Sequence, residues 1–310
     1  MSRIHDALNK AAQEQATERG LEDSLVAADR GADRQDHGSA SDRKNPLKSA
    51  VGDEQQPPAR LTHEALLTHC QHVHWSPDSK TILSFANGQV HEYGTEELRT
   101  LRSRLYQIRG HKPLQTVLIT SALPGEGKSF IAANLAMAIV RQPERRALLI
   151  DADLRMPALH RSLGTPLTPG LSDHLRGDAD EFSIVQRSLR HNLFFISAGK
   201  AASNAAELLG NGRLKNLLHR LAPAFDWIVV DSPPVVPLSD ACLLSELCDG
   251  VLMVVRASST PFDLAQKACQ KFDGKPLLGV VLNRVKRGAS YSAYYYNHYP
   301  PAAKIGADKS

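Results

Sequence analysis

Residues 116–129 read Thr-Val-Leu-Ile-Thr-Ser-Ala-Leu-Pro-Gly-Glu-Gly-Lys-Ser, and this stretch decides the fold. Thr116–Thr120 has the β-branched, apolar composition of a strand buried on both faces. It runs straight into Ser121–Ser129, close to the GxxxxGK[ST] phosphate-loop pattern, with Ala122 where the first glycine would stand. A helical stretch, Ser129–Arg141, follows. Gly125 and Gly127 let the backbone curl so that successive N–H groups face one anion, and the helix adds its unpaired N-terminal amides. In this pattern Pro124, Gly125, Glu126, Gly127 and Lys128 surround the phosphates, with Phe130 just beyond. Lys128 supplies a point charge and Ser129 a hydroxyl for Mg²⁺.

Downstream, short apolar runs alternate with helical segments. Strands are predicted at Ala147–Ile150, Leu193–Ser197, Trp227–Val230, Val251–Val255 and Leu278–Leu282. Helices are predicted at Gly170–Arg176, Glu207–Leu221, Asp240–Leu247 and Pro261–Phe272, and upstream at Glu64–Cys70 and Thr95–Arg109. Such alternation means an α/β domain of the P-loop NTPase type, a mostly parallel sheet flanked by helices. In these sheets the ligand lies at the carboxyl ends of the strands.

Two further strand ends carry carboxylates there: Asp151 and Asp153 after Ala147–Ile150, and Asp231 after Trp227–Val230. Mg²⁺ takes oxygen ligands, keeps several waters and uses one or two carboxylates. Asp231, with Asp151 or Asp153, suits a magnesium ion held partly through water. The remaining carboxylate is free to take a proton from an acceptor.

The other regions read differently. No Phe, Trp or Tyr occurs before Trp75, and Gly20–Arg60 is a polar mixture too poor in apolar residues to form a core. The domain reading is therefore a disordered leader, 1–60, opening on a short helix at Ser2–Arg19; a P-loop domain, 61–290, with its motifs in 110–290; and a tail, 291–310. Residues 1–60 carry 9 Lys/Arg and 11 Asp/Glu, whereas residues 61–310 carry 28 and 22. That excess is too small to make nucleic acid the expected partner. No apolar run reaches the roughly 18 residues of a membrane span, and the four cysteines show no CxxC pair, so a reducing cytoplasm is expected. His63, His69, Cys70, His72 and His74 crowd together without the spacing of a zinc finger.

The tail is dominated by tyrosines: Tyr291, Tyr294, Tyr295, Tyr296 and Tyr299. Three consecutive tyrosines cannot all face one core, so the segment reads as an exposed substrate for phosphoryl transfer. An aromatic flap packed on the domain is the alternative. Glu96, Arg99 and Arg102 recur every three residues along their helix, the spacing of a charged solvent face with local ion pairs.

Taken together these residues resemble the bacterial tyrosine kinases of capsule and exopolysaccharide synthesis. Ser121–Ser129 is similar to their Walker A loop, Leu148–His160 to their Walker A′ motif and Ile228–Pro234 to their Walker B; Gly170–Asp173 and Gly279–Asn283 also match. The septum-positioning and plasmid-partition ATPases share the Walker A′ aspartate but carry an early loop lysine where Leu123 stands here. Ser203–Leu209 lacks the prolines usual in the kinase family, and Met1–Gln15 resembles the leader of its exosortase-associated branch.

The resemblance implies an ATP- and Mg²⁺-dependent protein-tyrosine kinase that phosphorylates its own tyrosine cluster between subunits. Lys128, Asp151, Asp153 and Asp231 would be catalytic, Arg155 and Asn283 would contact ATP, and Glu96, Arg99 and Arg102 would join subunits into a ring. It also implies a separate membrane-bound polysaccharide co-polymerase as activator and a cognate tyrosine phosphatase. The protein would then sit in the cytoplasm, peripheral to the inner membrane. A membrane-positioning ATPase and a nucleotide-dependent scaffold without transferase activity are the rival readings.

Overall fold

The computed structural model describes residues 61–78, 81–82, 92–188, 192–272 and 274–286. The leader, with its expected helix at Ser2–Arg19, and all five tail tyrosines lie outside the described residues. Among the described residues eight strands form one sheet: β1 (Gln71–His72), β2 (Thr116–Ser121), β3 (Ala147–Asp151), β4 (Val185–Arg187), β5 (Leu193–Ile196), β6 (Trp227–Asp231), β7 (Gly250–Arg256) and β8 (Leu277–Asn283). Their order is β1-β4-β5-β3-β6-β2-β7-β8, and every pair is parallel except β4–β5.

Alternate residues along each strand feed two cores, one on each face of the sheet. Leu118, Leu148, Ile150, Phe194, Ile228, Val230, Val251 and Met253 enter the first. Their neighbours Val117, Ile119, Leu149, Phe195, Val229, Leu252 and Val254 enter the second. This explains the continuous apolar runs of β2, β3, β5, β6 and β7: neither face meets water, so no polar residue alternates in, whereas the edge strand β8 leaves Val280 and Leu282 exposed. Full burial of each such side chain contributes about 1.5–3 kcal/mol. The helix Lys128–Val140 lies on the second core and is buried from Ile131 through Val140, which is why its sequence lacks a polar stripe.

The six strands read from the sequence all form, within one or two residues of the predicted ends. β1 and β4 escape that reading because two and three residues are too short for a period. The helix predicted as continuous over Glu207–Leu221 is broken into Ala205–Gly210 and Arg213–Leu221. Gly212 adopts φ 83° between them, and the Asn211 side chain leaves to donate to the Leu175 carbonyl at 2.9 Å. Short helices at Leu159–Leu163 and Glu181–Ile184 also went unread.

The topology fixes where chemistry can occur. β2 lies between β6 and β7, and β6 separates it from β3. In register, Ile119 pairs with Asp231 and Asp231 with Asp151, so three adjacent carboxyl ends finish level with one another.

Candidate functional site

The loop after β2 has the backbone its glycines require. Gly125 and Gly127 take φ values of 79° and 97°, and Gly127 caps the helix that starts at Lys128. A Cβ on Gly125 would meet nothing, so conformation alone calls for glycine there; at Gly127 it would also lie 2.2 Å from Asn283 Nδ2. Pro124 and Gly125 are exposed, while Lys128, Ser129 and Phe130 are half-buried.

Lys128 Nζ lies 3.1 Å from Asp153 Oδ2, with little of either side chain in water. Burial opposes the ammonium charge, but Asp231, Asp153 and Asp151 together raise its pKa above the ordinary value. Asp153 Oδ1 also accepts the Met156 N–H at 3.0 Å.

Asp151 and Asp231 are both buried, in different settings. Asp151 Oδ1 accepts the Asp153 N–H at 3.2 Å, and Oδ2 accepts those of Ala158 and Leu159 at 3.2 and 3.1 Å. Burial, then the Asp231 charge, push its pKa up to about 8 against those hydrogen bonds. Asp231 has two buried oxygens with no hydrogen-bond partner. Its pKa is raised to about 6 by burial, with Lys128 and the nearby Ser129 hydroxyl pulling the other way; Ser129 favours the ionised form without completing a well-formed hydrogen bond. Two orphaned carboxylate oxygens beside a serine hydroxyl and Asp153 form the hard-oxygen set that magnesium takes, so these residues fit the ion.

The other predicted residues have definite places. The Glu126 carboxylate turns inward, away from the phosphate side, and only 2% of the residue is exposed. Of Glu126, only the backbone can share in the amide cradle. Arg155 donates to buried Asp240 through Nε at 2.7 Å and Nη2 at 3.0 Å, which leaves its Nη1 near the Ser203 carbonyl. Asn283 Nδ2 donates to the Glu126 carbonyl at 2.8 Å, so it braces the loop. Arg99 pairs with Glu96 at 3.1 Å on an exposed face, worth about 0.2–0.5 kcal/mol. Arg102 instead turns inward and donates to the Ala138 carbonyl at 2.6 Å, so the three residues do not form one uniform surface.

In the histidine-rich segment, His63 packs edge-on against Phe194 and His69 against Phe182, and burial pushes the Cys70 thiol up to about 12. Among the described residues no three His, Cys, Asp or Glu side chains converge on one point, here or elsewhere. Sequence reasoning missed Asp240 and Thr260. Asp240 stands 85 residues from Arg155, and Thr260 stands 134 residues from the Glu126 it contacts. Asp240 opens the helix predicted at Asp240–Leu247, but nothing local signalled either partner.

The CobQ/CobB/MinD/ParA nucleotide binding domain matches residues 117–297. Tyrosine-protein kinase YwqD of Bacillus subtilis is 34% identical over 204 residues, 65% of this chain and 85% of the relative. Tyrosine-protein kinase wzc of Salmonella typhimurium is 31% identical over 217 residues, 69% of this chain but only 30% of the relative's length. Among solved structures, the chimerical protein CapA2B2 aligns with a TM-score of 0.62 at 29% identity, covering 72% of this chain and 98% of the other. The kinase domain of Escherichia coli tyrosine kinase ETK aligns with a TM-score of 0.58 at 28% identity, covering 64% and 79%.

Proposed function

The chain belongs to the CobQ/CobB/MinD/ParA nucleotide-binding family and, within it, to the bacterial tyrosine kinases, and from that membership we propose that it transfers the γ-phosphoryl group of ATP to tyrosine. The observation that carries this reading is the convergence of Lys128, Asp153 and the partnerless Asp231 at the mouth of the loop. Leu123 supports it against the partition ATPases: it packs on the first core, and no second lysine enters the loop.

Phosphoryl transfer rests on positioning and charge neutralisation. The amides of Gly125–Ser129 cradle the phosphates, and Lys128 exchanges Asp153 for them. Ser129 and Asp231 would hold magnesium, with Asp153 reaching it through water; the ion supplies charge neutralisation at the β- and γ-phosphates. Asp151 fixes the loop that follows β3. Asp153, released from Lys128, is the carboxylate placed to take the tyrosine proton, since a free tyrosine with a pKa near 10 needs such help at neutral pH. Asn283 stands beside the loop where an adenine edge would lie, and Arg155 borders the same mouth.

The acceptors in this proposal are Tyr291, Tyr294, Tyr295, Tyr296 and Tyr299 of a neighbouring copy, in a ring to which Glu96 and Arg99 present the exposed face of their helix, while Arg102 holds that helix against Ala138. The product would regulate exopolysaccharide polymerisation and export, with a membrane co-polymerase as activator and a tyrosine phosphatase as antagonist. No helix of the described residues is long and apolar enough to cross a membrane. In this proposal the co-polymerase holds the chain at the membrane.

Mixing tests the transfer between copies. A Lys128→Met chain keeps its tyrosines, and a chain with all five tail tyrosines changed to Phe keeps its site. Together with Mg-ATP and the activating partner they should label the Lys128→Met chain, whereas neither labels alone. An unlabelled mixture would remove transfer between copies from the account.

A further inference from the structure

Glu126 lies inside the phosphate loop, where a carboxylate would repel the phosphates it faced. The structure turns it the other way. Oε2 accepts the Leu123 N–H at 2.7 Å; Oε1 accepts the Arg256 N–H at 3.3 Å and the Thr260 hydroxyl. All three partners are neutral donors. A carboxylate accepts through both oxygens, whereas a glutamine would set an NH₂ group against either the Leu123 or the Arg256 N–H. The environment therefore selects Glu by hydrogen-bond polarity.

The Ala257 N–H ties the turn after β7 to the Asn283 carbonyl at 2.8 Å, and Thr260 closes that turn. Its N–H donates to the Arg256 carbonyl at 3.1 Å, and Ser258 takes φ 57° inside the turn. Arg256 ends β7, the strand directly beside β2. The Asn283 amide, at the end of β8, holds the Glu126 carbonyl at the same time. The loop is thus braced at one residue, by its side chain from the β7 turn and by its carbonyl from β8. Both braces act immediately before Gly127 and Lys128, whose backbone must aim its amides at the anion.

We propose that Thr260 is a positioning residue for nucleotide binding: through Glu126 it holds the phosphate loop in its anion-binding shape. The inference rests on the nucleotide-site reading above, and the experiment separates the two. Binding of Mg-ADP and Mg-ATP is measured by calorimetry on the full chain, for the parent, Thr260→Val, Thr260→Ser, Glu126→Gln and Lys128→Met. Thermal melting without nucleotide is recorded beside each.

Thr260→Val, which keeps the side-chain shape but removes the donor, should weaken Mg-ADP about tenfold, the size of a lost hydrogen bond to a charged group. In the phosphorylation assay the change should fall on KM, with kcat at saturating Mg-ATP within about twofold of the parent. Thr260→Ser should bind within about twofold of the parent because the hydroxyl is kept. Glu126→Gln should weaken binding by a second route. Thr260→Val binding like the parent overturns the proposal, as does Thr260→Ser binding as weakly as Thr260→Val, or a lower melting temperature with unchanged affinity. If Lys128→Met also binds like the parent, the nucleotide-site reading itself fails.

Discussion

Asp151 ends β3 and Asp231 ends β6; the strands are parallel neighbours and the two aspartates are partners in register. Both are at most 1% exposed. Asp151 receives three backbone N–H groups from the turn and short helix that follow, whereas Asp231 receives none. The same side chain at the same height of the sheet therefore does two jobs. One folds the loop that carries Asp153 and Arg155. The other is left with desolvated, unsatisfied oxygens, which is costly unless a cation completes it.

The largest effect should come from removing the open carboxylate. Asp231→Asn should lower phosphotyrosine formation by about 10²–10³-fold, the range seen when one electrostatic contact to a transition state is lost. The melting temperature of the nucleotide-free protein should hold or rise, because a buried carboxylate whose oxygens lack hydrogen-bond partners goes with it, and Lys128 keeps Asp153. Phosphorylation within a few-fold of the parent, measured by phosphotyrosine immunodetection, would break the comparison at its functional end.

Asp151→Asn should act chiefly on stability. Its amide would turn a donor toward one of the three N–H groups, leaving it unsatisfied at about 1–3 kcal/mol. Denaturant unfolding reads this as a lower midpoint. If Asp151→Asn were as stable as the parent, Asp151 would not be the loop's anchor.

A smaller effect lies in pH dependence without metal. Both carboxyls have folded pKa values raised above the ordinary carboxylate value, so the folded state holds more protons than the unfolded one. Their stabilisation is complete below about pH 4 and is lost as pH rises through about 6 for Asp231 and about 8 for Asp151. In EDTA, Asp231→Asn should flatten the lower part of that fall and Asp151→Asn the upper part. Identical profiles from melts at stepped pH would mean that the two sites do not differ as described.

The smallest effect separates Arg102 from its helix neighbours. Glu96→Ala with Arg99→Ala should leave stability within about 0.5 kcal/mol, as for an exposed pair. Arg102→Ala should cost more, since it takes a donor from the Ala138 carbonyl. Equal losses by thermal melting would return Arg102 to the surface charge pattern.

Much of this was legible in the sequence because the relevant signals are local. A buried parallel strand appears as a continuous apolar run, as in Leu148-Leu149-Ile150, and a phosphate loop needs glycine at fixed offsets. What stayed hidden depends on contacts between distant residues. The sequence could place Asp151, Asp153 and Asp231 at one edge, but their division of labour follows from which backbone N–H groups the turn at Met156–Leu159 presents. Glu126 looked like a phosphate-side residue by position, and only the β7 turn shows why its side chain points away. Arg102 shared the spacing of Glu96 and Arg99, yet packing against the neighbouring helix decides which way it turns.

Intact mass followed by phosphopeptide mapping, after incubation with Mg-ATP and the activating partner, tests the central claim most directly. The account predicts added phosphoryl groups on Tyr291, Tyr294, Tyr295, Tyr296 and Tyr299, and none in Lys128→Met. A parent chain that consumes ATP while its tyrosines stay unmodified, or a Lys128→Met chain that is modified as fully as the parent, would contradict it.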